Sequence, residues 1–169
     1  MQLLQETPAD WWDVEALYDL CFAPGREALS SYRLRDGVAP VGDLCLLLRD
    51  ENGLAAAIRY WPVRIETARI LLLGPIAVHP THQGEGLGGW LMRESLSLAS
   101  AAGWERVLLV GDAPYYNRFG FTRRDGVQMP PPTNPARVLG LALRPGAWSG
   151  VAGRVTPDLP ESDQPAPAP

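Results

Sequence analysis

Four glycines, Gly84, Gly86, Gly88 and Gly89, crowd six consecutive positions just after Gln83, where an apolar run ends and a helical pattern begins. A glycine turn at a strand-to-helix junction aims backbone N–H groups outward and adds the positive end of a helix dipole. That combination suits a pyrophosphate, and the missing Cβ atoms let a ligand approach the chain. Gln83, Gly84, Glu85, Gly86, Leu87, Gly88 and Gly89 are therefore the candidate phosphate-binding residues. Read literally, Gly84-x-Gly86-x-x-Gly89 also matches the dinucleotide fingerprint, with Asp112 as a ribose-binding acid. Three features oppose that NAD-dependent oxidoreductase reading. Residues 79–83 intervene between the strand and the first glycine, an antiparallel meander precedes the motif, and no second mononucleotide half follows.

The elements that position these residues follow from periodicity. Residues 2–6 read as a strand, and Thr7-Pro8-Ala9-Asp10 then supplies a cap and a first-turn proline. The following helix has its apolar stripe at Val14, Leu17, Tyr18 and Cys21, and Pro24-Gly25 ends it. A second helix is expected over 26–35. Apolar runs at 44–49 and 54–60, joined by Asp50-Glu51-Asn52-Gly53, predict an antiparallel hairpin. A third run, 70–78, is interrupted by Gly74-Pro75, where a proline without an N–H predicts a bulge or a splay. From Gly86 to about Ala102 a helix is expected, with Leu87, Leu91, Leu98 and Ala102 on its buried stripe. A buried strand at 107–110 after that helix makes a parallel pair. A short helix carries Tyr115 and Tyr116, then strand-like runs at 121–128 and 138–143 flank a proline-rich loop. The architecture is α/β: a mixed sheet of six to seven strands with helices on both faces. Residues 1–157 read as one domain and the proline-rich 158–169 as a disordered tail.

Composition narrows the chemistry. The 169 residues carry a formal charge of −4 with scattered cations, which gives no footprint for nucleic acid. All fifteen cations are arginines, and a Walker-type phosphate loop needs a lysine. No basic region precedes an apolar run at the N-terminus, and no stretch is long enough to cross a bilayer, so no membrane partner is expected. Cys21 and Cys45 read as buried free thiols, no metal-ligand set is visible, and a cytoplasmic location is expected.

Gln83-x-x-Gly86-x-Gly88 resembles the (Arg/Gln)-x-x-Gly-x-(Gly/Ala) motif of the GNAT N-acetyltransferase superfamily, and residues 73–80 look like the strand before it. The segment Gly111-Asp112-Ala113-Pro114-Tyr115-Tyr116-Asn117-Arg118-Phe119-Gly120-Phe121 is similar to the tyrosine segment of that superfamily's YhbS-like branch. The resemblance implies a GNAT acyl-CoA fold that uses acetyl-CoA as co-substrate. It implies that the backbone of Ile76, Ala77 and Val78 meets the pantetheine arm and that the turn from Gln83 to Gly89 holds the pyrophosphate. It implies the Val78 N–H as oxyanion donor, and Tyr116 as a cofactor contact that donates to the departing sulfur.

Acetyl transfer to an amine also needs that amine neutral. Some relatives carry a glutamate where this chain has Leu73. Asp112, which also reads as a helix cap, stays open as base beside Glu66, His79, His82, a water chain or an amine that arrives neutral. The expected acceptor is a small-molecule or peptide amine, and a homodimer stays open. A non-catalytic acyl-CoA-binding or regulatory module is the alternative function.

Overall fold

The computed structural model describes residues 1–22 and 25–159. Strand β1, Gln2–Gln5, leads into a 3-10 turn at Pro8–Asp10 and helix α1, Trp11–Cys21. The Asp10 carboxylate closes the turn by accepting from the Thr7 N–H at 2.8 Å and the Thr7 hydroxyl at 2.9 Å. Val14, Leu17 and Tyr18 are buried, while Cys21 is half-buried.

The helix expected over 26–35 is broken into a 3-10 turn, Arg26–Ala28, and a single turn α2, Ser30–Arg33, with Leu29 extended between them. Tertiary ties win over propensity here. Arg26 is 8% exposed and bonded to Glu15, Asp19 and the Tyr32 hydroxyl, which fixes both segments against α1.

Strands β2 (Leu46–Asp50), β3 (Gly53–Ile65) and β4 (Ala68–Val78) form the antiparallel meander. The β2–β3 connection has two residues between paired Asp50 and Gly53, and Gly53 holds φ 123. β3 pairs with β4 as Ile58↔Ile76 and then Tyr60↔Leu73, so Gly74 and Pro75 together oppose Arg59. This is the predicted bulge. A Cβ on Gly74 would stand 2.9 Å from the Trp61 ring and 3.1 Å from the Arg59 carbonyl oxygen, which leaves room only for glycine.

Helix α3, Leu87–Ala101, crosses to β5, Arg106–Val110, which runs parallel to β4. Beyond it come α4 (Ala113–Tyr116), β6 (Thr122–Arg123), β7 (Val127–Gln128), β8 (Val138–Ala142) and β9 (Gly153–Pro157). The main path, β1-β2-β3-β4-β5-β8-β6, has seven strands. β9 adds to the far end of β3 and β7 to β9, two attachments the sequence pattern did not reveal.

Strand alternation sends Leu47, Ala57 and Ala77 under α1, and Leu46, Leu48, Ala56 and Ile58 to the opposite face under α3. The buried stripe of α3 is Leu87, Gly88, Leu91, Met92, Ser95 and Ala99. That corrects the expected stripe, because Leu98 is 43% exposed and Ala102 faces solvent. At the C-terminal end, Asp158 pairs with Arg64 and, at 3.1 Å, with Arg69, its side chain 10% exposed. Asp158, expected to begin the tail, is thus tied to the sheet, and residues 160–169 lie outside those described.

Candidate active site

The bulge decides where the site opens. β4 and β5 pair only at Leu71↔Val107 and Leu72↔Leu108, and past Gly74-Pro75 they separate. The His79 N–H donates to the Ala55 carbonyl at 2.8 Å, which makes Ala56–Val78 a non-hydrogen-bonded pair of the β3–β4 ladder. The peptide groups of Val78 and, two residues back, Ile76 consequently face the gap left by β5. The Val78 carbonyl is held there by the Gln83 amide at 3.1 Å and the Cys21 thiol at 3.4 Å, and its N–H points the same way. Ala77, expected among the cofactor contacts, turns its peptide to Ala57 and its methyl beneath α1, so it offers nothing to the gap.

One side of the gap is the glycine turn. Gly84 and Gly86 have φ 83 and 79, left-handed conformations natural to glycine, and a Cβ on either would meet nothing within 4 Å. The first intrahelical bond into α3 is Trp90 N–H to the Gly86 carbonyl, which leaves the amides of Leu87, Gly88 and Gly89 without helical acceptors. They border a cavity of about 420 Å³ whose wall also carries Gln83, His82, Arg93, Tyr115 and Arg118. The Leu87 side chain is buried in the core. Glu85 turns away to His82, 2.8 Å from Nδ1, while Asp50 stands 2.9 Å from Nε2. The hydrogen bond that His82 gives to the Glu85 carboxylate, with the charges of Glu85 and Asp50, raises the His82 pKa above its ordinary value.

Tyr116 stands on the other side. A Cβ at position 111 would run into its ring, so Gly111 is what lets the ring lie there. It packs edge-on against Tyr115 and Phe121, and burial pushes its pKa up to about 12. Tyr116 lines a second cavity, about 130 Å³, with Leu73, Gly74, Pro75, Ile76 and Val110 on the strand side and Phe22, Arg26, Ser31 and Tyr32 on the α1–α2 side. The neighbouring tyrosines divide between the cavities, since Tyr115 lines the first, its hydroxyl close to Gly88.

The possible bases are not gathered in. Glu66 sits at the β3–β4 turn, about 30 Å along the strand from Val78. His82 has both ring nitrogens committed, and His79 binds Thr81 through Nδ1. Asp112 is exposed at the start of α4, where its backbone carbonyl, not its carboxylate, accepts from Tyr115 and Tyr116. Among the described residues, no carboxylate lines the second cavity, and Leu73 forms part of its apolar wall.

Sequence reasoning missed Arg93, Arg118 and Tyr115 at the first cavity, whereas the loop from Arg26 to Asp36, where the sequence places a wall of the acceptor pocket, does supply Arg26, Ser31 and Tyr32 to the second. Arg93 had a readable signal, lying one helical turn beyond Gly89 on the same face. Which side chains of that loop reach the cavity had no readable signal, because tertiary contacts decide it.

A model of the acetyltransferase (GNAT) domain matches residues 42–123, the stretch from the entry to β2 through the glycine turn and Tyr116 to β6. An Escherichia coli K12 protein described as the uncharacterized N-acetyltransferase YhbS is 30% identical over 124 residues, covering 72% of this chain and 73% of that one. The chain belongs to the GNAT acetyltransferase family. The crystal structure of E. coli YhbS in complex with CoA superposes with a TM-score of 0.78 at 26% identity, covering 92% of this chain and 88% of that one. A Brucella melitensis GNAT acetyltransferase in complex with acetyl-CoA gives 0.66 at 28% identity, covering 85% and 88%. The mixed α/β GNAT fold expected from the sequence is the fold observed. Among the described residues, no helix is long and apolar enough to cross a membrane.

Proposed function

We propose that this GNAT protein transfers the acetyl group of acetyl-CoA to an amine by direct attack in a ternary complex. The observation that carries the reading is the parting of β4 from β5 at Ile76–Val78, with an open glycine cradle on one side and the Tyr116 cavity on the other. The CoA and acetyl-CoA held by the two relatives support it. The residues fit the co-substrate. Gly84 and Gly86 leave the cradle open, the first amides of α3 face a pyrophosphate, and Arg93 and Arg118 add charge of the right sign. Gln83 pins the strand end by holding the Val78 carbonyl.

The Val78 N–H donates to the carbonyl oxygen as it gains negative charge, an interaction worth typically 10²–10³ in rate. The amine lone pair forms the new N–C bond as the C–S bond breaks. The amine's surplus proton passes through water to the thiolate, giving amide and thiol. Tyr116 assists as a neutral hydrogen-bond donor. With its pKa pushed up to about 12 and a thiol near ~8.5, full proton transfer from the phenol would run uphill by roughly 5 kcal/mol. Tyr116→Phe is expected to lower kcat roughly ten- to a hundredfold with acetyl-CoA affinity unchanged; an unchanged kcat would refute the role. The apolar Leu73 favours the second reading, a non-catalytic acyl-CoA-binding module. Tight cofactor binding with slow turnover that is indifferent to Tyr116→Phe would select it.

A further inference from the structure

The second cavity has side-chain donors among its otherwise mostly apolar lining. Arg26 spends four of its five N–H bonds on Asp19, Glu15 and the Tyr32 hydroxyl, the last at 2.7 Å, and keeps one. Because Tyr32 accepts from Arg26, its own hydroxyl hydrogen is free to donate. Ser31 and Tyr116 add two more hydroxyls to the same wall. No Asp or Glu among the described residues lines it, so no carboxylate there draws in an ammonium group.

Behind Tyr32 stands Arg35, its guanidinium 3.9 Å from the Tyr32 ring centroid and 3.6 Å from that of Trp61, whose ring in turn abuts Gly74 in the cavity wall. Its Nη1 is buried without a hydrogen-bond partner, and no carboxylate among the described residues forms an ion pair with it. The neighbouring cations differ, since Arg59 is matched by Glu6 and Glu15, and Arg26 by Glu15 and Asp19. A partly desolvated guanidinium without a counter-ion is costly, and an anion close by offsets that cost.

We infer that the acceptor is a small amine bearing a carboxylate, an α-amino acid in class, whose carboxylate is received by the Tyr32 and Ser31 hydroxyls and the free N–H of Arg26, in the field of Arg35. This rests on the acetyl-transfer reading of the same site. The cavity has room for about four waters, comparable with an amino group, an α-carbon and a carboxylate, so the side chain must turn to the open mouth. The geometry disfavours two other acceptors. A peptide N-terminus brings a neutral amide where the charge is wanted, and a polyamine brings further cations toward Arg26 and Arg35.

The test measures kcat/KM by thiol release for a panel of α-amino acids, their carboxamides and their decarboxylated amines, with spermidine added, beside a calorimetric acetyl-CoA titration of each protein. The expected result is a preference for carboxylate over carboxamide and amine of roughly ten- to a hundredfold, the range for a hydrogen bond to a charged group. Tyr32→Phe and Arg35→Met each reduce that preference severalfold while acetyl-CoA affinity stays unchanged, and Arg35→Lys, which keeps the charge, retains most of it. Faster turnover of carboxamides, simple amines or spermidine overturns the inference, as does inertness of the whole panel in protein that binds acetyl-CoA. Failure to bind acetyl-CoA overturns the acetyl-transfer reading instead.

Discussion

Gly86→Glu separates the cost of a backbone conformation from the cost of blocking a ligand. Gly86 holds φ 79 at the start of α3, so any side chain there incurs left-handed strain of about 1–2 kcal/mol. Nothing lies within 4 Å of the new Cβ, so no steric term is added. The stability loss should therefore stay near 1–2 kcal/mol, a melting shift of roughly 2–8 °C for a chain of this size. The effect on the ligand is larger. A carboxylate about 4 Å from a phosphate costs about 1 kcal/mol in water and about 4 kcal/mol at the effective dielectric of a protein surface. Added to the filled cradle, this raises the acetyl-CoA Kd tenfold to a thousandfold or more. Gly86→Ala carries the same strain without charge or length, so it should melt like the Glu variant yet keep most of its affinity. Calorimetric titration with acetyl-CoA, paired with thermal melts, reads both quantities. Wild-type affinity in a Glu variant whose melting has fallen as expected would show that the phosphate does not lie in this cradle.

Gly74→Ala forces a methyl to 2.9 Å from the Trp61 ring and 3.1 Å from the Arg59 carbonyl, and should cost about 1–3 kcal/mol by denaturant unfolding. Arg59→Met strands Glu6, which it now binds through Nε and Nη2 while itself fully buried, and should cost about 3–5 kcal/mol; adding Glu6→Gln should recover part of that loss in the same unfolding assay. Burial raises the pKa values of Tyr18, Tyr60 and Tyr116, the last to about 12, and that of Cys45 to about 11. Between the unfolded and folded pKa values of these groups the native state holds the extra protons, so their stabilisation is complete below about pH 8.5 and is lost as pH rises toward 12. Denaturant midpoints measured from pH 8 to 11 should fall steadily, and a flat profile would contradict the burial of these groups.

The parts of the site that depend on one residue's backbone were legible in the sequence. Gly84 and Gly86 announce left-handed turns, and Gly74-Pro75 announces a break in a ladder, because no packing partner is needed to read either. What depends on packing was not legible. The stripe expected on α3 held at Leu87 and Leu91 but not at Leu98 and Ala102; Ser95 is buried instead, its hydroxyl 2.8 Å from that of Tyr60 on the sheet. β9 escaped notice because in a five-residue strand only Val155 is buried. Arg59 lies in an apolar run as a charge that distant carboxylates make tolerable, Glu6 at 53 positions away and Glu15 at 44. The particular side chains of the second cavity escaped for the same reason, since Arg26, Tyr32 and Leu73 meet only in the folded chain.

The central claim is that the parted strands and the glycine turn receive acetyl-CoA. Isothermal titration of the full chain with acetyl-CoA, with NADH as the parallel ligand, tests it most directly. The account predicts saturable one-to-one binding of acetyl-CoA and no heat from NADH; binding of NADH alone, or of neither ligand, would contradict it.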